Sequence, residues 1–292
     1  MELGIGLPTY GPTAGPEAIG RVAQEAERIG LGSVWTGERL LRPTEPMMLG
    51  VGPMPLPDFN GSVYDPLETL SYVAAKTSRI RLGTSVLDAL FHPPLVLARR
   101  LSTVDQLSGG RLMAGLGQGW MEQEFAAVGV PVNRRGGGFA EHIEAMRSLW
   151  SPDPVSFAGR FYQIAEGEAG PKPVRPEGPV LLAGAGAPAA VERAARMGLG
   201  LTTVFFGWDA LRGTVEMFRA AAGDAALPIV VHVNGAVTTK PVGDRMPLTG
   251  EIDQVAGELA ELVSLGVDHV FWTSPDTDPD ELLEALAQLQ AR

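Results

Sequence analysis

Short apolar runs alternate with amphipathic stretches along almost the whole chain. Eight runs have strand length: Glu2 to Pro8, Ser33 to Thr36, Ile80 to Val86, Leu112 to Gly115, Val180 to Ala183, Leu199 to Val204, Ile229 to Asn234 and Val267 to Thr273. They are apolar and β-branched, the pattern of strands buried on both faces. Helical spacing fills the intervals. Pro16 to Ile29 puts Ile19, Val22, Ala23 and Ala26 on one face, with Gly30 as its stop. Pro66 to Thr77 follows Asp65, a good N-cap residue. Pro94 to Leu107 carries Leu97, Leu101 and Val104 and runs into Gly109-Gly110. Further helices are expected from Arg135 to Trp150, Pro188 to Met197, up to Ala222, Ile252 to Val263, and along Leu282, Leu283, Leu286 and Leu289.

Eight strand–helix alternations predict an α/β fold, a (β/α)8 TIM barrel with insertions. A doubly wound sheet with an appended lobe is the other topology this order allows. One domain over 1–292 is expected, with excursions at about 40–63, 151–179 and 236–249. The segment Ser151 to Pro179 holds six prolines and is expected to be irregular. Leu40 to Val63 carries Met47, Met48, Pro53, Met54, Pro55, Pro57 and Phe59. That composition suits a lid over an apolar substrate, and equally an ordered structural loop.

Composition narrows the function. The chain lacks cysteine, which excludes disulfides, thiolate metal sites and a cysteine nucleophile and fits a cytoplasmic location. A net charge of −11 argues against nucleic-acid and anionic-membrane partners. No apolar run reaches the roughly 18 residues of a membrane span. Twenty arginines against three lysines, with abundant Ala, Gly and Pro, match a GC-rich genome. The four histidines, His92, His142, His232 and His269, have no zinc-site spacing, so no metal is expected. His142 is expected to be solvated on its helix, while His232 and His269 fall within strands. No G-x-S-x-G elbow is present, which argues against an α/β-hydrolase.

In a barrel of this kind ligands sit at the C-terminal ends of the strands. Those ends hold Pro8, Thr9 and Tyr10; Gly37, Glu38 and Arg39; Ser85, Val86 and Leu87; Gly117 to Trp120; Gly184, Ala185 and Gly186; and Thr202, Thr203 and Val204. The turn Gly184-Ala185-Gly186-Ala187-Pro188-Ala189 reads G-x-G-x-x-A between strand and helix. Small residues there let a phosphate reach backbone N–H groups, or simply make a tight turn. No acidic ribose ligand lies near position 204, so a Rossmann site is not indicated. Glu122 and Glu124 open a helix, where acids suit the helix dipole.

The block Leu101 to Trp120 contains D-x-L-S-G-G-R at Asp105 to Arg111, then a strand, then G-x-G-W at Gly117 to Trp120. It resembles the bacterial-luciferase-like family of flavin- and deazaflavin-dependent oxidoreductases. The resemblance implies a barrel with coenzyme F420 in its mouth, FMN being the second choice. It implies a non-prolyl cis peptide at Ser85–Val86 beneath the ring and a phosphate near Gly184 to Gly186. Cofactor contacts are then expected at Pro8, Glu38, Ser85, Val86, Gly117, Gln118, Trp120, Gln123, Gly184, Ala185, Gly186 and Thr203. Trp120 would wall the ring or only pack. Glu38 and Arg39 stand where many relatives have an acid followed by His, and both are the candidate catalytic residues. Arginine stays protonated, so Arg39 is a poor general base, though it suits an anion or enolate-like oxygen. Trp120 replaces a glutamate acid of the sugar-phosphate dehydrogenase branch. The His92-Pro93 step matches a family turn. The implied activity is hydride transfer between deazaflavin and a small, apolar organic substrate. The alternatives are an FMN-dependent two-component monooxygenase, and a cofactor-binding barrel without catalysis. A homodimer is expected, with a flavin or F420 reductase as a further partner.

Overall fold

The protein is described by a computed structural model that covers all residues but Pro46, Gly50 and Val51, and all side chains outside 46–54. Strands and helices alternate: β1 (Glu2–Gly6), α1 (Pro16–Arg28), β2 (Ser33–Thr36), α2 (Pro66–Ala74), β3 (Arg81–Thr84), α3 (Pro94–Ser108), β4 (Leu112–Gly117), α4 (Glu122–Ala127), α5 (Gly137–Trp150), β5 (Val180–Gly184), α6 (Pro188–Arg196), β6 (Gly200–Val204), α7 (Trp208–Ala222), β7 (Ile229–Asn234), α8 (Ile252–Ser264), β8 (His269–Thr273) and α9 (Pro279–Gln290). Each of the eight strands pairs in parallel with its neighbours. Val180 opposite Met113 joins β5 to β4, and Glu2 opposite His269 joins β8 to β1, so the sheet closes into a TIM barrel.

The interior is packed by side chains from five strands. Trp35, Met113, Leu182, Val230 and Phe271 form a cluster separate from the larger shell between strands and helices. Trp35 sets the terms there. A Cβ on Gly83 would lie 2.2 Å from its ring, so the neighbouring strand must carry glycine at that point. The Trp35 indole N–H donates to Ser33 Oγ at 2.8 Å, which satisfies its polar end. Outside the barrel, the faces that helical spacing marked are the buried ones: Ile19, Val22, Ala23 and Ala26 on α1, Leu97, Leu101 and Val104 on α3. Asp65 caps α2 by accepting from the Leu67 N–H at 2.9 Å.

Three expectations change. The third strand stops at Thr84; a cis peptide joins Ser85 to Val86, and the chain resumes as Leu87–Asp88 against Leu116–Gly117. The proline-rich segment 151–179 is not wholly irregular, because Val155–Ala158 pairs antiparallel with Gln163–Gly167. Its tip is held by Glu141 of α5, whose carboxylate accepts the N–H groups of Arg160, Phe161 and Tyr162. His142 is not solvated but fully buried. Its Nε2 lies 2.9 Å from the His92 carbonyl, which only accepts, so Nε2 carries the proton. Burial pushes this imidazole down to about 4, and it stays neutral near pH 7.

In the excursion 40–63, Met47–Leu49 pairs antiparallel with Gly52–Met54, and Asp58–Gly61 forms a 3-10 turn. The lid side chains Met47, Met48, Pro53 and Met54 lie outside the described residues. Among the described residues, no helix is long and apolar enough to cross a membrane.

Candidate functional site

The Ser85–Val86 step is where the strand ends converge. Its neighbours come from four other strands. The Val86 carbonyl accepts the Glu38 N–H at 2.9 Å, from the end of β2. Ser85 Oγ lies 2.9 Å from Thr202 Oγ1 on β6. Val86 packs so closely on β4 and β5 that a Cβ on Gly117 or Gly184 would come within 2.7 Å or 2.6 Å of its methyl groups. The structure therefore brings together Glu38, Ser85, Val86, Gly117 and Gly184. It sets Thr202, and not the adjacent Thr203, against Ser85, because side chains alternate along a strand.

Above the aromatic floor of the barrel lies a cavity of roughly 250 Å³. One wall is neutral. Trp35, Phe271 and His232 stack in sequence, with centroids 4.8 Å and 4.5 Å apart. His232 Nε2 lies 2.7 Å from Thr273 Oγ1, and that hydroxyl donates to Asn234 Oδ1 at 3.1 Å. Thr273 therefore accepts from His232, which puts the proton on Nε2 and leaves Nδ1 as an acceptor. Burial lowers the His232 pKa to about 4. Tyr10 lines the same wall, and burial raises its pKa. Its ring stacks on Phe59, centroids 5.5 Å apart, which ties the 40–63 excursion to this wall.

The facing wall is charged and cross-linked. Glu38 accepts the Asp88 N–H at 2.8 Å through one oxygen and meets His92 Nε2 at 2.9 Å through the other. Arg39 Nη1 donates to Glu124 Oε2 at 2.7 Å, and its guanidinium lies over the Trp120 ring at 5.1 Å. Glu124 is buried and also accepts the N–H groups of Leu40 and Leu41. In the first turn of α4, Glu124 thus sits inside a buried ion pair. Asp88 accepts the Gly119 N–H at 2.9 Å. Burial, with the Glu38 charge beside it, pushes the Asp88 carboxyl up to about 7.

A third zone faces the glycine turn after β5. The helix α6 opens at Ala187 with no side-chain cap and with Pro188 in its first turn, so its leading N–H groups are free of side-chain acceptors. Gln118 Oε1 accepts the Gly136 N–H at 2.7 Å, and a Cβ on Gly136 would lie 3.5 Å from Arg193 Nη2 of α6. Beside Gly136, Arg134 Nε and Arg135 Nε and Nη2 are buried without a hydrogen-bond partner among the described residues, their guanidinium groups lying over Phe161, Tyr162 and Phe125. The uncapped start of α6, which directly follows the Gly184–Gly186 turn, fits a phosphate group, and the Arg134–Gly136 segment joins this side of the mouth through Gln118. Sequence reading missed Arg134 and Arg135, although two arginines ahead of Gly136-Gly137-Gly138 at a helix start were a usable signal.

Other expected contacts stand apart. Pro8 is buried and lines a separate small hollow with Pro275, Pro279 and Leu282. Gln123 and Gly186 are exposed, Gln123 on α4 and Gly186 ahead of α6. Trp120 is 44% exposed, joined to this group through Arg39.

The chain, a closed barrel, belongs to the luciferase-like family: the family model for luciferase-like monooxygenases matches residues 1–241. It is 31% identical over 202 residues to the F420-dependent glucose-6-phosphate dehydrogenase of Amycolatopsis mediterranei, covering 68% of this chain and 56% of that one. It is 28% identical over 176 residues to the FMNH(2)-dependent dimethylsulfone monooxygenase of Pseudomonas putida, covering 59% of this chain and 48% of that one. The monooxygenase RslO1 from Streptomyces bottropensis has the same fold, with a TM-score of 0.82 and 23% identity over 100% of this chain and 99% of that one. The family contains both F420-dependent and FMN-dependent oxidoreductases, so a deazaflavin or flavin cofactor suits this chain.

Proposed function

We propose that this protein binds coenzyme F420 in the barrel mouth and transfers a hydride between it and a small, uncharged organic substrate. The observation that carries the reading is the packing of Val86 against Gly184, with the uncapped start of α6 directly following that glycine turn. Val86, with Gly117 and Gly184 cleared on either side, offers a flat support for a tricyclic ring. The α6 N-terminus offers donors for the phosphate that such cofactors carry, with Arg135 on the same side of the mouth. The bound ring supplies the redox chemistry, and the protein supplies position, water exclusion and electrostatics.

The cavity argues for an uncharged substrate. Its charged lining residues are Glu38 and Arg39, and each is paired, to His92 and to Glu124. Residues 46–54, whose side chains are outside the described part, contain no charged residue that could alter this balance. A sugar phosphate would find no free cation there, whereas a carbonyl or hydroxyl compound would meet the Tyr10–Thr273–Asn234 hydroxyl and amide groups.

FMN with a separate reductase is the second reading, favoured by the FMN-dependent relatives. Fluorescence titration of the apoprotein with F420 and with FMN tests the choice. Tight F420 binding with weak FMN binding is the expected result. The reverse preference would move the case to an FMN-dependent monooxygenase, and binding of neither would remove the cofactor assignment.

A further inference from the structure

Three carboxylates meet in the charged wall, and their charges do not balance. Glu38, Asp88 and Glu124 are all buried, with side-chain exposures of 2% for Glu38 and 1% for Glu124. The cations that face them are Arg39, from the end of β2, and His92, from the turn before α3. Even with His92 counted as charged, two positive groups face three negative ones. Unneutralised charge in a buried site is expensive, so one carboxyl there holds a proton. Glu38 has an imidazole and a backbone N–H as partners, and Glu124 has a guanidinium and two backbone N–H groups. Among the described residues, Asp88 has the Gly119 N–H alone. Asp88 is therefore the group left to carry the proton.

Its position gives that proton a consequence. Asp88 sits on the short strand after the Ser85–Val86 step, opposite Gly117. A Cβ on Gly117 would lie 2.2 Å from Asp88 Oδ1, so the carboxyl rests directly on the Gly117 backbone while it accepts from Gly119. Gly119 has φ of +71°, a conformation that favours glycine, and here the carboxyl fixes its N–H. Gln118, between these two glycines, holds the Arg135–Gly136 backbone through its Oε1.

We propose that Asp88 is a positioning residue that holds the Gly117–Gly119 turn as a neutral carboxylic acid, and that its ionisation loosens this side of the cofactor site. The second part rests on the reading of this turn as a cofactor contact. The raised pKa of Asp88, near neutrality, supports the assignment and puts the ionisation within reach of ordinary buffers. The groups that face it set the direction: Glu38 and Glu124 oppose its charge, while the Gly119 N–H and Arg39 favour it.

The test compares wild type with Asp88→Asn, which keeps an acceptor for Gly119 and cannot ionise. Unfolding midpoints and FMN and F420 affinities are measured from pH 5.5 to 8.5. The expected result is a gap between the two proteins that changes through about pH 7, with wild type losing ground as pH rises. Affinity for whichever cofactor binds should weaken several-fold in wild type over that range and stay flat in Asp88→Asn. A purely structural carboxylate would give a gap independent of pH, and that result overturns the proposal. Should Asp88→Asn fail to fold, Glu38→Gln takes its place. Removing the neighbouring charge must move the wild-type transition to lower pH, and an unmoved transition overturns the proposal. If neither cofactor binds while the stability gap still titrates, the cofactor reading fails and the proton on Asp88 stands.

Discussion

The two walls of the barrel mouth solve the same problem by opposite means. The wall built from Glu38, Arg39, Asp88, His92 and Glu124 buries charge and neutralises it with partners from β2, α4 and the segment after β3. The wall built from Tyr10, His232, Asn234 and Thr273 uses polar groups that stay neutral and links His232 to Asn234 through one hydroxyl. The first is rigid because each member is costly to leave alone. The second is adaptable, because hydroxyls rotate and an amide can exchange partners. A ligand that must be recognised meets the adaptable wall, while the charged wall keeps the frame in place.

The largest expected effect comes from breaking the charged wall at Glu124. Glu124→Ala strips the partner from Arg39 and leaves the Leu40 and Leu41 N–H groups unpaired. Breaking a buried ion pair costs roughly 3–5 kcal/mol. Urea unfolding should show a loss of that size, and a loss below about 1 kcal/mol would mean that the pair is effectively solvated.

Acidity separates the walls next. The folded Asp88 holds its proton up to about 7, whereas the unfolded residue releases it near 4. Its contribution is complete below pH 4 and is lost as pH rises through 7. His232 is the reverse, lowered from 6.5 to about 4. Its contribution is complete above about pH 6.5 and is lost as pH falls through 4. Stability differences between wild type and Asp88→Asn, and between wild type and His232→Asn, should slope in opposite senses across this window. The slope for Asp88 reaches at most about 1.4 kcal/mol per pH unit. Parallel slopes would erase the distinction between the walls.

Thr273→Val acts on the neutral wall alone. It removes the hydroxyl shared by His232 and Asn234 and keeps the volume close. The cost expected from chemical unfolding is about 1 kcal/mol, the net worth of an ordinary hydrogen bond, because water in the cavity can replace the lost partner.

These walls differ also in how far they were visible in the chain. Strands and helices followed from apolar periodicity, and strand ends then pointed to Glu38, Ser85, Gly117 and Gly184. Local pattern failed where tertiary approach decides. Glu124 looks like any acid in a first helical turn, since nothing nearby announces that Leu40 and Leu41 arrive from 84 and 83 residues away. His142 looked exposed because the segment that covers it, including Tyr162, is an excursion with no regular signal. Asp88 was hidden because the third strand was taken to end at Val86, when the chain breaks at Ser85–Val86 and pairs again beyond it. The neutral wall was legible only as strand-end residues, Tyr10 above all, because hydroxyl networks carry no spacing rule.

The smallest effect, and the most discriminating for recognition, belongs to Tyr10→Phe. The ring remains to stack on Phe59, so the 40–63 excursion keeps its anchor, and the unfolding midpoint should move by a degree or two at most. What disappears is the phenol hydroxyl, which lines the same cavity as Thr273. If the neutral wall recognises substrate oxygen as a linked set, affinity for a carbonyl or hydroxyl compound should fall a few-fold with little change in turnover. A double-mutant cycle with Thr273→Val makes this exact. Contacting groups that act as a unit give a coupling of at least about 0.5 kcal/mol, whereas independent groups add. Additive losses in ligand affinity would mean that Tyr10 and Thr273 meet the ligand separately, and the wall would then be two contacts instead of one network.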